Sequence, residues 1–115
     1  MSSTDNKQLA QAIGRTIAKR RMQCNLTQDV VAEKLGIGYE AVSRIERGVV
    51  IPNITRLAEL AGIFGCSTAD LLQEVSPLPA DQAGRIAQLL APLSAEDREL
   101  IVALVERLAL RLGQA

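Results

Sequence analysis

The sequence predicts an all-α protein that consists of one compact domain and a helical appendage. Aliphatic residues recur at helical spacings along the 115 residues, and no stretch alternates apolar and polar residues as a half-buried strand does. Tyr39 and Phe64 are the only aromatic residues, so the predicted core is aliphatic. A chain of this length can bury a sufficient core without disulfides or metal ions.

The amino-terminal segment and the first helix are predicted from polarity and spacing. Residues 1–6 are polar and are expected to fray. The first helix is predicted over residues 7–24, where apolar residues recur on one side of a basic helix. That side carries Leu9, Ala12, Ile13, Ile17 and Met22.

Two short helices follow, separated by glycines. Thr27 can cap a second helix over residues 28–35, because its side-chain oxygen can accept a free backbone N–H. Gly36 and Gly38 then break the helix, and a third helix is predicted over residues 39–47. The residues expected to face inward are Val30, Val31 and Leu35 of the second helix and Val42 and Ile45 of the third.

The next two helices have polar caps. Asn53 is expected to cap a fourth helix over residues 54–64. Ser67 and Asp70 approximate a capping box at the start of a fifth helix that ends near residue 73. The inner face of the fourth helix is predicted to hold Ile54, Leu57, Leu60, Ala61 and Phe64.

The run Ser76-Pro77-Leu78-Pro79 is the clearest boundary, because two prolines in three residues make a stiff connector that is not helical. We therefore predict a domain over residues 7–74 and a carboxy-terminal helical extension over residues 75–115. The extension holds a sixth helix over residues 80–91 and, after Pro92, a seventh over residues 95–112 that Ser94 caps.

Residues 27–48 have the pattern of a helix-turn-helix, a motif whose second helix lies in the DNA major groove. With the flanking residues 9–72 they resemble the Cro/C1-type (XRE) family of phage repressors and bacterial regulators. The resemblance implies a five-helix, lambda-repressor-like domain. It is carried by Thr27-Gln28, Ala32, Leu35-Gly36, Val42-Ser43-Arg44-Ile45-Glu46-Arg47-Gly48 and Pro52.

The outward side of the third helix is the predicted base-reading surface, and it carries Tyr39, Glu40, Ser43 and Arg44. The resemblance implies base contacts for Tyr39, Glu40 and Arg44. Arg44 can donate two hydrogen bonds to guanine, and Glu40 can accept one from cytosine. Alternatively, Glu40 and Arg44 pair with each other on an exposed helix, a contact worth about 0.3 kcal/mol.

Four further residues are predicted to contact the DNA backbone: Gln28, Arg47, Asn53 and Arg56. The resemblance implies that Gln28 binds a phosphate at the start of the second helix, where free N–H groups favour an anion. It also implies that Glu46 pairs with Arg21 of the first helix. The alternative for Glu46 is a solvated side chain of little energetic weight.

A broad aliphatic stripe on the seventh helix is predicted to form a homodimer interface. Regulators of this family usually bind palindromic operators as twofold dimers, so the chain needs a surface for self-association. The alternative is that this helix packs within its own chain. The stripe comprises Leu100, Ile101, Leu104, Val105, Leu108 and Leu112.

Composition excludes several other classes. The chain has no histidine, no glycine-rich phosphate loop and no metal-ligand spacing, so we predict no enzyme, cofactor or metal. Cys24 and Cys66 are expected to be small buried hydrophobes, with a redox switch as the alternative. With no membrane-length apolar run, a cytoplasmic transcription regulator is predicted. An antitoxin that binds its own operator and a second protein is the alternative function.

Overall fold

The computed structural model describes residues 3–114, with side chains from residue 5, and all regular structure within them is helical. The predicted all-α class is therefore confirmed. The helices in chain order are α1 (Ser3–Gln23), α2 (Gln28–Leu35), α3 (Tyr39–Glu46), α4 (Ile54–Phe64), α5 (Thr68–Val75), α6 (Pro79–Leu90) and α7 (Ala95–Gly113).

The chain divides into two compact units between Leu78 and Pro79. The division falls within the proline-containing connector of the sequence. The first unit contains α1 to α5, and the second contains α6 and α7. Pro79 opens α6, where its missing N–H costs nothing because the first N–H groups of a helix have no partner within it.

Polar side chains cap the helices where the sequence indicated. The Thr27 hydroxyl accepts the Val30 N–H at 3.2 Å, and the Asn53 side-chain oxygen accepts the Arg56 N–H at 2.8 Å. Ser67 and Asp70 form the reciprocal capping box in full. These predictions are confirmed, because each cap depends only on residues a few positions apart.

Several predicted helix ends shift by a few residues. The expected fraying of residues 1–6 is wrong for residues 3–6, which are helical; Met1 and Ser2 lie outside the described residues. Asp5 in the first turn of α1 favours this longer helix, since an acid complements the positive end of the helix dipole. At the other ends, α1 stops at Gln23, α3 stops at Glu46 and α5 continues to Val75.

The core of the first unit is a single aliphatic cluster with Phe64. Because α1 packs on α3 and on α5, it is the central element of this unit. Glycine permits the closest approach: a Cβ placed on Gly14 would lie 2.5 Å from the Glu46 carbonyl oxygen. The buried members are Ile13, Ile17, Val31, Ala32, Val42, Ile45, Leu57, Leu60, Ala61, Phe64 and Leu71.

Four predictions of burial are wrong. Ile54 and Met22 are mostly exposed, because each lies at a helix end beyond the edge of the core. Val30 is exposed because α2 turns Val31 and Ala32 inward instead. Cys24 is also exposed, since it follows the end of α1, and its thiol lies 3.7 Å from the Phe64 carbonyl oxygen.

The second unit has no buried residue in either helix. Arg98 of α7 turns back and donates a hydrogen bond to the Leu93 carbonyl oxygen, which ties the start of α7 to the preceding turn. Leu90, Leu93 and Ile101 are half-buried near this turn, whereas α7 is exposed from Val102 onward. No helix within residues 3–114 is long and apolar enough to cross a membrane.

Candidate nucleic-acid interface

A tight turn over residues 36–38 joins α2 to α3. Gly36 has a φ of 71°, a left-handed conformation that favours glycine, and its N–H bonds back to the Ala32 and Glu33 carbonyls. The Ile37 N–H also reaches the Ala32 carbonyl oxygen, at 3.0 Å. Gly38 is extended and immediately precedes α3. This short connection makes α2 and α3 a helix-turn-helix.

One side of α3 packs into the core and the other faces solvent. Val42 and Ile45 are 1% and 5% exposed, and they anchor the helix. Tyr39 is 51% exposed, and Ser43 is half-buried at the edge of the outer side. The exposed polar residues of the outer side are Glu40, Arg44 and Arg47. The structure thus brings all of the predicted base-reading residues to one solvent-facing side.

Arg44 and Glu40 do not pair with each other. Among the residues that the structure describes, neither side chain takes part in any ion pair that is found. Arg47 is similarly free of acids, and its Nε makes only a 3.4 Å hydrogen bond to the Ser43 carbonyl oxygen. The outer side of α3 therefore carries two guanidinium groups available to an external acceptor.

Glu46, the last residue of α3, lies in a hydrogen-bonded network with α1 and α2. Arg21 donates to it through Nε at 2.7 Å and through Nη2 at 3.0 Å, a bidentate arrangement. The Arg21 Nη1 also donates to the Leu26 carbonyl oxygen at 2.9 Å. The Arg21 and Glu46 side chains are only 15% and 6% exposed. The hydrogen bonds that Arg21 donates to the Glu46 carboxylate raise the pKa of Arg21, against the opposing effect of burial.

Gln28, predicted to bind a phosphate, joins this network. Its amide nitrogen donates to Glu46 Oε1 at 2.9 Å. The network therefore uses one of the two N–H groups of the Gln28 side-chain amide, and the second N–H is the donor that remains for another acceptor. The same Glu46 carboxylate thus accepts from α1 and from α2 while its own backbone belongs to α3.

Asn53 and Arg56 lie at the start of α4. The Asn53 side chain is used as the cap of that helix. Arg56 makes a 3.3 Å ion pair with Glu59, whose side chain is 45% exposed, so the pair is weakly held. Arg56 is consequently less free toward an external anion than Arg44 or Arg47.

Sequence reasoning missed a second ion pair and the exposure of the aliphatic side chains that follow α3. Arg20 donates to Glu74 at 2.5 Å, which ties α1 to α5 across 54 residues, and no local pattern signals it. Burial lowers the pKa of Arg20, but the hydrogen bond and the charge of Glu74 outweigh it and raise the pKa. Beside α3, the exposed aliphatic side chains are Val49, Val50, Ile51 and Ile54.

These features define a DNA-binding protein of the helix-turn-helix class. Residues 17–71 match the family model described as Helix-turn-helix, so these residues form a helix-turn-helix domain of the Cro/C1 type. The match of this domain and the similar structures of a gene regulator support a DNA-binding transcription regulator. A search of curated proteins gave no match.

Two similar solved structures are of the clp gene regulator ClgR from Corynebacterium glutamicum. Each is 28% identical to this chain. The match to the first covers 58% of this chain and 87% of the ClgR chain, with a TM-score of 0.56. The match to the second covers 71% of this chain and 89% of the ClgR chain, with a TM-score of 0.57. The apo form of ComR from S. thermophilus shares the fold at 21% identity and a TM-score of 0.53. That match covers 90% of this chain but 37% of ComR.

Proposed function

We propose that this chain is a sequence-specific transcription regulator that inserts α3 into the DNA major groove and binds a palindromic operator as a homodimer. The observation that carries the proposal is the outer side of α3, where Arg44 and Arg47 have no acidic partner. Two unpaired guanidinium groups beside exposed hydrogen-bonding side chains suit a surface that meets base edges and phosphates.

Base readout is assigned to Tyr39, Glu40, Ser43 and Arg44. Arg44 donates to the O6 and N7 atoms of a guanine, and this contact contributes about 1–3 kcal/mol of discrimination against other bases. Glu40 accepts from a cytosine amino group, and Tyr39 packs on a thymine methyl group or reaches a phosphate. Ser43 lies at the edge of the outer side, and its hydroxyl can donate a hydrogen bond to a base edge or accept one from it.

Register on the DNA is assigned to backbone contacts by Gln28, Arg47, Asn53 and Arg56. Such contacts position the protein and carry no sequence information directly. The assignment of a phosphate contact to Gln28 is supported by the position of this residue in the first turn of α2, where free N–H groups and the helix dipole favour an anion. The Glu46 carboxylate lies nearby, but Arg21 neutralises it and so limits its repulsion of a phosphate.

The size of the reading surface and the exposure of α7 support a homodimer. One eight-residue helix reads only a few base pairs, and a twofold dimer doubles the site, with half-sites about 34 Å apart. Most of the aliphatic stripe of α7 is uncovered within its own unit, where Leu100 and Leu112 are 71% and 70% exposed and only Ile101 is half-buried. Covering it with a second copy removes that apolar surface from water.

The experiment is a selection of preferred sites from random duplex DNA, followed by competition binding. We expect an inverted repeat to be enriched, and Arg44→Ala to weaken cognate binding and to relax one base position in each half. Arg107→Ala, which removes an exposed arginine from α7, is the matched control and should bind as the wild type does. Recovery of no preferred site, or equal loss of affinity for operator and random DNA, would overturn the assignment.

The alternative function, an antitoxin that also occupies its own operator, differs in what covers α7. In that case a different protein binds the aliphatic stripe, and the chain co-purifies with it at fixed stoichiometry. The DNA experiment above gives the same result for both functions. Oligomeric state of the purified chain therefore separates them.

A further inference from the structure

We infer that the homodimer is formed by two copies of α7 packed antiparallel, with Asp97 of each copy paired to Arg111 of the other. The inference rests on the proposed homodimer and adds the orientation of its interface. It commits the exposed face of α7 to a second copy of this chain.

The stripe on α7 follows a coiled-coil spacing of four and three residues. Ile101, Val105, Leu108 and Leu112 are separated by four, three and four positions, which keeps them on one seam of the helix. From Val105 onward these residues are exposed in the isolated chain. A seam of this kind is completed when a second helix inserts its own side chains between them.

One flank of the seam is self-complementary in charge. Asp97, Leu104 and Arg111 lie seven residues apart along this flank, with an acid at one end and a base at the other. In antiparallel pairs, the residues of this flank face the same flank of the partner. When Leu104 meets Leu104 of the second copy, Asp97 lies level with Arg111 of that copy, and the twofold axis repeats the contact.

A parallel arrangement lacks this match. The opposite flank carries Val102 and Ala109, so a parallel partner would place Val102, and not an opposite charge, beside Asp97. Antiparallel packing also opposes the two helix dipoles favourably.

Both charged groups are free to make this contact. Among the described residues, neither Asp97 nor Arg111 takes part in an ion pair within the chain. Both side chains are exposed. On α6 of the same unit, Ile86 and Leu89 are also exposed.

The test uses charge reversals on the full chain, with the dimer dissociation constant measured by analytical ultracentrifugation. Asp97→Arg and Arg111→Glu each turn both intermolecular pairs into like-charge contacts, and we expect each to weaken the homodimer about tenfold. Glu96→Arg and Arg107→Glu are the matched controls. Glu96 is one residue before Asp97 and Arg107 is four residues before Arg111, and neither lies on the flank that carries the proposed pair. These controls carry the same change in net charge and the same effect on the helix dipole.

Mixing the two weakened variants gives the decisive result. In an antiparallel pair, the arginine introduced at position 97 of the first variant meets the glutamate introduced at position 111 of the second. The native Arg111 and Asp97 meet at the other end. We therefore expect the mixture to form heterodimers with an affinity close to that of the wild type. A circular dichroism melt of each variant checks that the first unit remains folded.

The outcomes separate this inference from the proposed function. A wild-type dimer whose affinity is changed no more by the two flank reversals than by their controls would overturn the antiparallel pairing and leave the homodimer standing. Weakened variants that do not recover on mixing would overturn the pairing as well. A wild-type chain that stays monomeric at about 100 μM would overturn both proposals and leave α7 to a different protein.

Discussion

Gly14 of α1 crosses α3 so closely that its missing side chain would overlap the carbonyl oxygens of Ile45 and Glu46. The same turn of α3 bears the Glu46 carboxylate that binds Arg21, two turns further along α1. A backbone crossing and an ion pair therefore position the carboxy-terminal end of the proposed reading helix against one supporting helix. We expect both contacts to matter for stability and, through the position of α3, for DNA binding.

Gly14→Ala should destabilise the first unit by at least about 2 kcal/mol, because backbone atoms cannot move aside as a flexible side chain can. Gly62→Ala is the matched control, since a Cβ on Gly62 in α4 would meet nothing within 4 Å. It should instead stabilise the protein by about 0.5–1 kcal/mol through helix propensity. Urea denaturation of both variants measures the difference, and equal stabilities would contradict the close crossing.

Arg21→Ala should lower the stability of the first unit by about 2 kcal/mol, because it leaves the Glu46 carboxylate with Gln28 as its remaining side-chain donor. That carboxylate belongs to a side chain that is only 6% exposed. For a unit of this size the melting temperature should fall by several degrees. Arg15→Ala on the exposed side of α1 is the control. A melting temperature equal to that of the wild type would remove the structural role of the pair.

Arg47→Ala should weaken binding to operator and random DNA alike, because a phosphate contact carries no sequence information. The slope of log affinity against log salt concentration should fall in magnitude by about one, as one fewer counterion is released. Binding measured at several salt concentrations checks this. An unchanged slope accompanied by altered base preference would move Arg47 to the base-reading group.

The two cysteines should react differently with iodoacetamide. Cys24 is exposed, whereas Cys66 is half-buried, and burial raises the pKa of its thiol. Because the thiolate is the nucleophile, Cys66 should be alkylated more slowly at neutral pH. Rates measured on Cys24→Ser and Cys66→Ser resolve the two sites, and equal rates would contradict the burial of Cys66.

The raised pKa of Cys66 also gives a dependence of stability on pH. The unfolded chain releases the thiol proton at a lower pH than the folded chain does, so stability should decline as the pH rises through the usual range of a thiol. Cys66→Ala should flatten that decline. Chemical denaturation at about pH 7 and at about pH 9.5, on either side of the ordinary thiol pKa, measures it. An identical decline in the variant would exclude the thiol as its cause.

Local signals predicted the helices well. Each helix cap depends on groups within a few residues of one another, so the sequence contains the whole interaction. This holds for the caps at Thr27, Asn53 and Ser67 and for the left-handed Gly36. The inward Val42 and Ile45 follow likewise from helical spacing, and with them the outward side of α3. For this reason the sequence alone was sufficient to predict a helix-turn-helix protein.

Contacts between distant residues were decided only in the tertiary structure. The ion pair between Arg20 and Glu74, and the need for glycine at position 14, depend on which helices meet and how closely, and no short pattern encodes either. The exposure of Ile54 and Cys24 has the same origin, because a residue at a helix end is buried only if another element extends over it. Periodicity determines the side of a helix that is apolar, whereas packing determines how much of that side is covered.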